Sequence, residues 1–202
     1  MNDEKRRQIL STALRVFWKH GFRRVNMKEI AEAAGISRPG LYLYFKTKEE
    51  VFTEAIKYYA DVLLAEIDRG MERGRTPEEK ILFVFEIWAV RGFAEFLESP
   101  ESRELTEASL DFARDAFEHS YAKLVRVIAS LLREYTRAEG ARKLPPAERT
   151  ARLLASAVRG FKHVAANPPD LRRMIEDLIK IALGSGGARE GLKKASGRQK
   201  SL

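Results

Sequence analysis

Cysteine is absent from the 202 residues, and histidine and tryptophan are scarce, with three and two residues respectively. The lack of cysteine excludes disulfides, thiolate metal sites and cysteine nucleophiles, and it fits a reducing compartment. The histidines, His20, His119 and His163, lie far apart and in no recognisable metal or catalytic spacing. We therefore expect no catalytic residue, no metal site and no cofactor, and an enzyme is a poorly supported hypothesis.

Long apolar runs are lacking as well. No stretch approaches the roughly 20 apolar residues that a membrane-spanning helix needs. The amino-terminal sequence MNDEKRRQIL is too polar for a secretory signal. The composition, with 45% hydrophobic and 33% charged residues, is ordinary for a globular helical protein. We expect a cytoplasmic protein with no membrane partner.

The formal net charge of +8 is concentrated at the two ends of the chain. Residues 1–50 hold 11 lysines and arginines against 6 acidic residues, and residues 184–202 hold 5 against 1. The stretch between them is nearly neutral. A basic segment beside a neutral body indicates a polyanionic partner for that first segment. A chance excess of basic residues is the alternative.

Apolar residues recur at helical spacing almost throughout, and no stretch alternates with the period of two that a half-buried strand shows. We predict an all-α protein of about nine helices. The first helix is predicted from Asp3 to His20, with Gly21 as its stop. A capping box from Thr47 to Glu50 begins a long helix to about Arg69.

A capping residue followed by proline marks the start of several later helices. Three such pairs are predicted: Thr76–Pro77 for a helix to about Leu97, Ser99–Pro100 for a segment that leads into a long helix ending near Ala138, and Asn167–Pro168 for the last helix. A further helix is predicted after Pro145–Pro146, from about Ala147 to Ala166. Residues 184–202 have almost nothing to bury and are predicted to form a disordered basic tail.

Residues 26–45, NMKEIAEAAGISRPGLYLYF, have the pattern of two short helices joined by a tight turn. Asn26 and Glu29 form a capping box for the first helix. Gly35 can close that helix in the left-handed conformation, and Ser37 can cap the next one. Apolar residues fall where the two helices would pack, and basic and tyrosyl residues are left outside. This pattern is typical of a helix-turn-helix that reads DNA.

The first 60 or so positions resemble the tetracycline-repressor (TetR) family of bacterial transcription regulators. The shared residues are Gly21–Phe22, then Ile30, Ala31, Ala34, Gly35 and Ser37, then Leu41 to Phe45, and Lys48–Glu49. The resemblance implies a DNA-binding domain at 1–62 and an effector-binding and dimerisation domain at 63–183, which the tail at 184–202 follows. Asn26 departs from the usual serine or threonine, and Pro39–Gly40 from the usual glycine and small polar residue.

Arg38 is the expected base reader, because its planar fork matches the two acceptors of guanine. Pro39 and Gly40 offer no side-chain hydrogen bond to a base, and Leu43 is expected either against a thymine methyl or beside the backbone. The resemblance implies phosphate contacts from Tyr42 and Lys48, whereas Tyr44 is expected to pack. The predicted DNA-binding set is Asn26, Lys28, Ser37, Arg38, Pro39, Gly40, Tyr42, Leu43, Lys46 and Lys48.

Residues 81–97 are apolar nearly all round, as in a helix that is surrounded by others. The resemblance implies an effector pocket, for which the candidates are Phe85, Trp88, Phe112, Phe117 and Tyr121, with plain core packing as the alternative. The last two helices carry wide apolar stripes that can meet their copies in a four-helix interface. The predicted interface is Leu154, Ala157, Val158, Phe161, Leu171, Met174, Ile175 and Leu178, with full burial inside one subunit as the alternative.

These features predict a cytoplasmic, bacterial or archaeal transcription regulator that associates with the nucleoid when it is bound to DNA. Its expected partners are double-stranded operator DNA, a small hydrophobic or aromatic effector, and a second copy of the chain. We expect a homodimeric repressor that its effector releases from the operator. An activator of the same fold, or a helical protein-interaction adaptor, are the alternatives.

Overall fold

The structure is a computed structural model that describes residues 2–74, 76–93, 111–138 and 144–184. Within these residues the regular structure is entirely helical, which confirms the all-α prediction. Eight α-helices are described: α1 Asp3–His20, α2 Met27–Ala33, α3 Arg38–Tyr42, α4 Lys48–Gly70, α5 Pro77–Phe85, α6 Arg114–Ala138, α7 Ala147–Phe161 and α8 Pro168–Leu183. A 3-10 turn, Met71–Arg73, follows α4, and a π-helical turn, Glu86–Val90, continues α5.

Side-chain caps explain where several helices begin. The Thr76 hydroxyl accepts from the Glu79 amide at 3.2 Å, and Glu79 accepts in return from the Thr76 amide, so that α5 has a complete capping box. Asn167 accepts from the Asp170 amide at 2.9 Å and begins α8 just before a proline, as predicted. The end of α1 at His20, with Gly21 as its cap, is also confirmed.

Two helix ends differ from the prediction. Thr47 caps α4, but the Glu50 carboxylate accepts from the Lys46 amide at 2.6 Å rather than from Thr47, so the predicted capping box is only half formed. The helix α7 ends at Phe161 instead of Ala166, and the His163 and Val164 amides then donate, at 3.0 Å each, to the carbonyls three residues earlier, as in a tighter turn. The turn to the last helix therefore begins several residues earlier.

The helix predicted from Thr76–Pro77 to about Leu97 is regular only to Phe85. The π-helical turn then shifts the backbone pairing, and the Arg91 amide donates to the Glu86 carbonyl at 3.0 Å. Arg91 also donates to both carboxylate oxygens of Glu66 on α4, at 2.6 and 2.8 Å. These hydrogen bonds hold the pKa of Glu66 below its usual value. The predicted helix start at Ser99–Pro100 and the tail beyond Gly184 lie outside the described residues.

Two hydrophobic clusters organise the described helices. The head cluster joins α1 to the first half of α4, and its members include Ile9, Leu10, Phe17, Phe22, Ile30, Leu41, Phe45, Phe52 and Ala113. The body cluster joins the second half of α4 to α5, α6, α7 and α8, and its members include Ile67, Ile81, Phe85, Leu124, Ile128, Leu154, Leu171 and Ile175. Because α4 contributes to both, it connects the two clusters covalently. The predicted division between residues 62 and 63 stays a prediction.

Membrane insertion finds no support in the helices that the structure describes. None of them combines the length and the apolar character that crossing a bilayer requires.

Candidate nucleic-acid interface

The helix-turn-helix forms from local caps and one left-handed glycine. The Asn26 side chain accepts from the Lys28 and Glu29 amides at 2.9 and 3.1 Å, and Glu29 accepts in return from the Asn26 amide at 2.9 Å. Gly35 has a φ of 64°, and the Ser37 hydroxyl then accepts from the Gly40 amide at 3.1 Å. The three local features that the sequence predicted for this turn are thus present. The oxygen of Asn26 is committed to the cap, which leaves its amide NH₂ facing outward for another partner.

The helix α3 has one buried side and one exposed side. Leu41 and, just beyond the helix, Phe45 are fully buried in the head cluster, which fixes the rotation of α3. Arg38 is exposed, and Leu43 has 78% of its surface exposed. The Arg38 guanidinium lies 5.7 Å from the centre of the Tyr42 ring, a cation–π contact that limits the directions in which it can point. The outer side of α3 therefore presents an arginine fork and an apolar tip together.

The remaining predicted contact residues differ in their surroundings. The Lys48 ammonium donates to the Phe22 carbonyl at 2.9 Å and lies 4.2 Å from the centre of the Phe22 ring. Lys28 lies 3.7 Å from Glu32 in an exposed ion pair, whereas Lys46 is exposed at the turn before α4. Pro39 is exposed and Gly40 half-buried at the start of α3. Tyr44 packs against the head cluster, in agreement with the packing role expected for it.

Gly35 has a left-handed backbone conformation that costs free energy for any residue with a side chain. We expect Gly35→Ala to lower the free energy of unfolding by about 1 to 2 kcal/mol, because its φ of 64° strains a side chain even though nothing lies within 4 Å of an added Cβ. Urea denaturation followed by circular dichroism measures this change.

Gly160 provides the matched control for that prediction. It lies within α7 with open space around an added Cβ, so Gly160→Ala should instead raise the stability by about 0.5 to 1 kcal/mol. Equal effects of the two substitutions, or a stabilising Gly35→Ala, would contradict the assignment of strain to the turn.

The structure does not bring the five predicted pocket aromatics together. Phe85, Trp88 and Tyr121 belong to the body cluster or pack against it, with Trp88 and Tyr121 edge to face at 6.1 Å. Phe112 instead lies with the head cluster, at 4.8 Å from Phe22 and 5.8 Å from Phe52 between ring centres, and Phe117 packs against the same cluster. The prediction grouped them because they fall on neighbouring stretches of the chain, but these stretches contribute to two different clusters.

An ion pair lies beside Tyr121, and sequence reasoning did not find it. The Arg159 guanidinium lies 5.1 Å from the centre of the Tyr121 ring and 3.4 Å from a Glu118 oxygen. Burial, opposed by Arg159, raises the pKa of Tyr121 to about 12. Lys162 follows Arg159 by three residues, where α7 ends. An arginine and a lysine spaced by three near a helix end were the available signal, but such pairs are common on surfaces.

A separate cleft of about 320 Å³ lies in the head, lined by Val16, Lys19, His20, Arg24, Glu29 and Ala33. It is away from the Trp88–Tyr121 pair and was not predicted. His20, His119 and His163 are all exposed. Among the residues that the structure describes, no group of three or more histidine, aspartate or glutamate side chains is placed to hold a metal ion.

Half of the predicted dimer residues are buried within their own subunit. Leu154, Val158, Leu171 and Ile175 are buried in the body cluster, while the four partly buried ones are Ala157, Phe161, Met174 and Leu178. The structure also exposes apolar residues that were not in the predicted set: Leu153 at 59%, Val164 at 71% and Ile181 at 80%. These lie in register with the partly buried residues along α7, its extension and α8.

The geometry defines a helix-turn-helix protein of the all-α class, with α2 and α3 as the two helices of the motif. Residues 9–55 match the family model described as "Bacterial regulatory proteins, tetR family". Over these residues the chain is similar to the TetR family of bacterial regulators.

Individual relatives show how far the likeness extends. An uncharacterized HTH-type transcriptional regulator, YfiR from Bacillus subtilis, is 39% identical over 70 residues, which are 35% of this chain and 34% of YfiR. The HTH-type transcriptional activator FasR from Mycolicibacterium smegmatis is 30% identical over 96 residues, 48% of this chain and 42% of FasR. The matched part spans only about a third of the first of these relatives and less than half of the second.

A solved structure matches over nearly the whole chain. FadR from Thermus thermophilus, a TetR-family transcriptional repressor in complex with lauroyl-CoA, has a TM-score of 0.63 and 27% identity. The alignment covers 92% of this chain and 96% of that one. The two curated relatives thus match less than half of this chain, whereas the structural match covers 92% of it.

Proposed function

We propose that the chain is a sequence-specific DNA-binding transcription regulator that acts as a homodimer and responds to a small molecule bound in its body. The expected response is repression relieved by the effector. The observation that carries the proposal is the outer side of α3, where Arg38 and Leu43 are exposed while Leu41 is buried beneath them. A short helix held by its inner side and presenting a guanidinium fits the major groove.

The surroundings of α3 support phosphate binding on either side of the base-reading residues. Lys28 precedes α3 on α2, and Lys46 follows it before α4, and both are exposed. Phosphate contacts position a reading helix, and base contacts give it specificity. Lys48 has a donor committed to the Phe22 carbonyl but keeps two more, so that it can hold the head together and still bind a phosphate.

The exposed apolar residues of α7 and α8 support the dimer. Leu153, Ala157, Phe161 and Val164 follow one another at helical spacing, as do Met174, Leu178 and Ile181 on α8. Large exposed apolar patches mark interaction sites, and two helices from each copy would bury these stripes around a two-fold axis. The interface that we propose therefore differs from the one predicted from sequence: Leu153, Val164 and Ile181 replace Leu154, Val158, Leu171 and Ile175.

A charged residue placed in the apolar stripe of α8 tests that interface. We expect Ile181→Glu, with 80% of the side chain exposed in one copy, to leave each subunit folded and to convert the dimer to monomer at micromolar concentration, because two carboxylates would be desolvated at the interface. Sedimentation velocity measures the mass.

Val62→Glu is the matched control, since Val62 is 41% exposed on α4, away from both stripes. It should leave the mass unchanged. A dimeric Ile181→Glu variant would exclude this interface.

Coupling between the DNA-binding head and an effector site in the body requires a mechanical link. The segment that leads into α6 and the first turns of α6 supply one. Phe112 and the fully buried Ala113 lie in the head cluster, and nine residues after Phe112, on α6, Tyr121 contacts Trp88. On α4, Tyr59 packs against both clusters and meets Trp18 of α1 edge to face at 4.9 Å. A ligand that displaces α6 would therefore act directly on aromatic packing in the head. By linkage, operator DNA must weaken effector binding by the same factor.

Binding of the purified chain to duplexes from upstream of its own gene tests the function. We expect saturable binding, preference over a shuffled duplex of the same composition, and an affinity that falls linearly with salt on logarithmic axes. Footprinting should show two half-sites about 34 to 36 Å apart. Equal affinity for native and shuffled duplexes would contradict the proposal. Salt-insensitive binding to another protein without DNA affinity would favour the adaptor.

The direction of regulation is a separate question. FadR from Thermus is a repressor and FasR an activator, so both outputs occur among the matched relatives. The lauroyl-CoA bound by FadR supports an effector with an apolar part, in line with the aromatic and aliphatic lining of the body cluster. A reporter gene downstream of the selected operator, measured with and without the protein, distinguishes repression from activation.

A further inference from the structure

The side of α3 that lies opposite the core carries a leucine. Leu43 follows α3 with a helical backbone, φ −71° and ψ −26°, and 78% of its surface is exposed. The fully buried Leu41 precedes it by two residues, which places the two side chains about 160° apart around the helix axis. Phe45, two residues after Leu43, is fully buried as well. Leu43 is therefore directed away from the core of the head.

The neighbours of Leu43 on α3 leave it accessible. Pro39, four residues before Leu43, lies on the same face of the helix and is exposed. Gly40, three residues before Leu43, has no side chain that could cover it. Arg38 lies to one side of this face, because its guanidinium is held over the Tyr42 ring, 5.7 Å from the ring centre. Pro39 and Leu43 thus form a narrow exposed surface, named here the apolar ridge of α3, with the arginine beside it.

The charge around the apolar ridge favours a polyanion over an apolar protein surface. Arg38 is exposed five residues before Leu43 and Lys46 three residues after it, and residues 1–50 hold 11 lysines and arginines against 6 acidic residues. Two apolar residues are also too few for a protein interface, whose apolar patches reach several hundred Å². In the major groove of DNA, the C5-methyl group of thymine is the apolar group on a base edge. The ridge therefore fits a single methyl group within a polyanion.

We propose that Leu43 recognises a thymine in each operator half-site through contact with the 5-methyl group of the base. The inference rests on the proposed function and deepens it, since it names a base and the residue that recognises it. Arg38 and Leu43 are about 7.5 Å apart along the helix axis, or about two base-pair steps. The thymine is therefore expected within about two base pairs of the guanine that Arg38 contacts. The plain alternative is that Leu43 lies against the sugar–phosphate backbone and recognises no base.

Removal of single methyl groups from the DNA tests the contact. The duplex is the one that the purified full chain selects from a randomised library, and each thymine of its half-sites is replaced in turn by deoxyuridine, which lacks only the 5-methyl group. We expect one thymine position to be sensitive. Uracil at that position should lower the affinity by about fourfold in one half-site and by about 15-fold in both, since the methyl group leaves water on binding. Fluorescence anisotropy measures these affinities.

Substitutions at Leu43 connect the loss of affinity to the residue. Leu43→Ala should bind the thymine and uracil duplexes with equal affinity, whereas Leu43→Met should keep most of the difference between them. The substitutions in the protein and in the DNA form a double-mutant cycle, whose coupling should be about fourfold per half-site. Because Leu43 is exposed and is not a member of the head cluster, Leu43→Ala should not lower the melting temperature, which separates a lost contact from lost folding.

Two further variants show whether the effect of the methyl group is specific to Leu43. Arg38→Ala should weaken operator binding and relax the preference for guanine, but it should keep the difference between thymine and uracil, because a different side chain recognises each base. Val62→Ala, at an apolar residue of α4 that is 41% exposed, should change neither the affinity nor the difference between thymine and uracil.

Three results would overturn the proposal. These are specific binding in which no thymine is sensitive to uracil, a sensitivity that Leu43→Ala leaves unchanged, or an equal loss of affinity for selected and shuffled duplexes in Leu43→Ala, which would place Leu43 against the backbone. The proposed function fails by a different result, equal affinity of the unsubstituted chain for selected and shuffled duplexes, and this inference fails with it. Specific binding that does not depend on the methyl groups would keep the regulator and reject only the recognition of thymine by Leu43.

Discussion

Replacing Arg38 by alanine is expected to reduce operator affinity by about 2 to 6 kcal/mol for a dimer on two half-sites, because each bidentate guanine contact contributes about 1 to 3 kcal/mol. The Arg38 side chain is exposed at the start of α3. Its replacement removes the cation–π contact with Tyr42 but no packing in the core. The fold should therefore be unchanged. Fluorescence anisotropy with the native and base-substituted operators measures both the affinity and the sequence preference.

Two variants separate base reading from charge. Lys46→Ala removes an exposed cation next to α3. It should therefore weaken binding to all duplexes by the same factor and reduce the salt dependence of the affinity, without altering the preferred base. Arg152→Ala, at an exposed arginine of α7, should change neither the affinity for DNA nor its salt dependence. If Arg38→Ala kept the full preference for guanine at the contacted position, another residue would be the reader, and Leu43 is the next candidate.

Replacing Phe112 by alanine is expected to destabilise the head by about 2 to 3 kcal/mol, since a large ring that packs on Phe22 and Phe52 is lost. The change should appear as faster amide hydrogen exchange in α1 and in the first half of α4. The same variant should weaken the effect of a body ligand on DNA affinity, because the segment that leads into α6 no longer inserts an aromatic ring into the head.

Phe83→Ala is the matched control, which tests whether the faster amide exchange occurs in the head or in the body. Phe83 is partly buried against the body cluster, so its loss should accelerate exchange in α5 and α6 instead of α1. Phe112→Leu should retain much of the head stability because it keeps an apolar side chain. Faster exchange confined to the body in Phe112→Ala would contradict the placement of this residue in the head.

The helix-turn-helix was predictable because its determinants are local. Asn26, Glu29, Gly35 and Ser37 act on backbone groups within three residues of themselves, so their spacing in the sequence already defines the hydrogen bonds that they make. The bounds of α1 follow likewise from a continuous apolar face and a terminal glycine. The structure agrees with the prediction at these residues.

The aromatic and apolar residues of the body were less predictable. Helical spacing identifies Phe112 and Tyr121 as inward residues, but it does not say which of two clusters each one reaches. Residues 81–97 are apolar on every side, so their pattern gives no period from which a π-helical turn at Glu86–Val90 could be read. The Arg91–Glu66 pair that closes this turn joins residues 25 positions apart.

The sequence by itself determined the all-α fold, the caps and turn of the DNA-reading motif, and the identity of its exposed arginine, since these depend on contacts between near neighbours. Tertiary structure alone decided that Phe112 packs in the head, that Leu154 and Ile175 are buried while Leu153 and Ile181 are exposed, and that Arg159 stacks on Tyr121. Such outcomes depend on how helices far apart in the chain rotate and pack, and a helical period leaves that rotation undetermined.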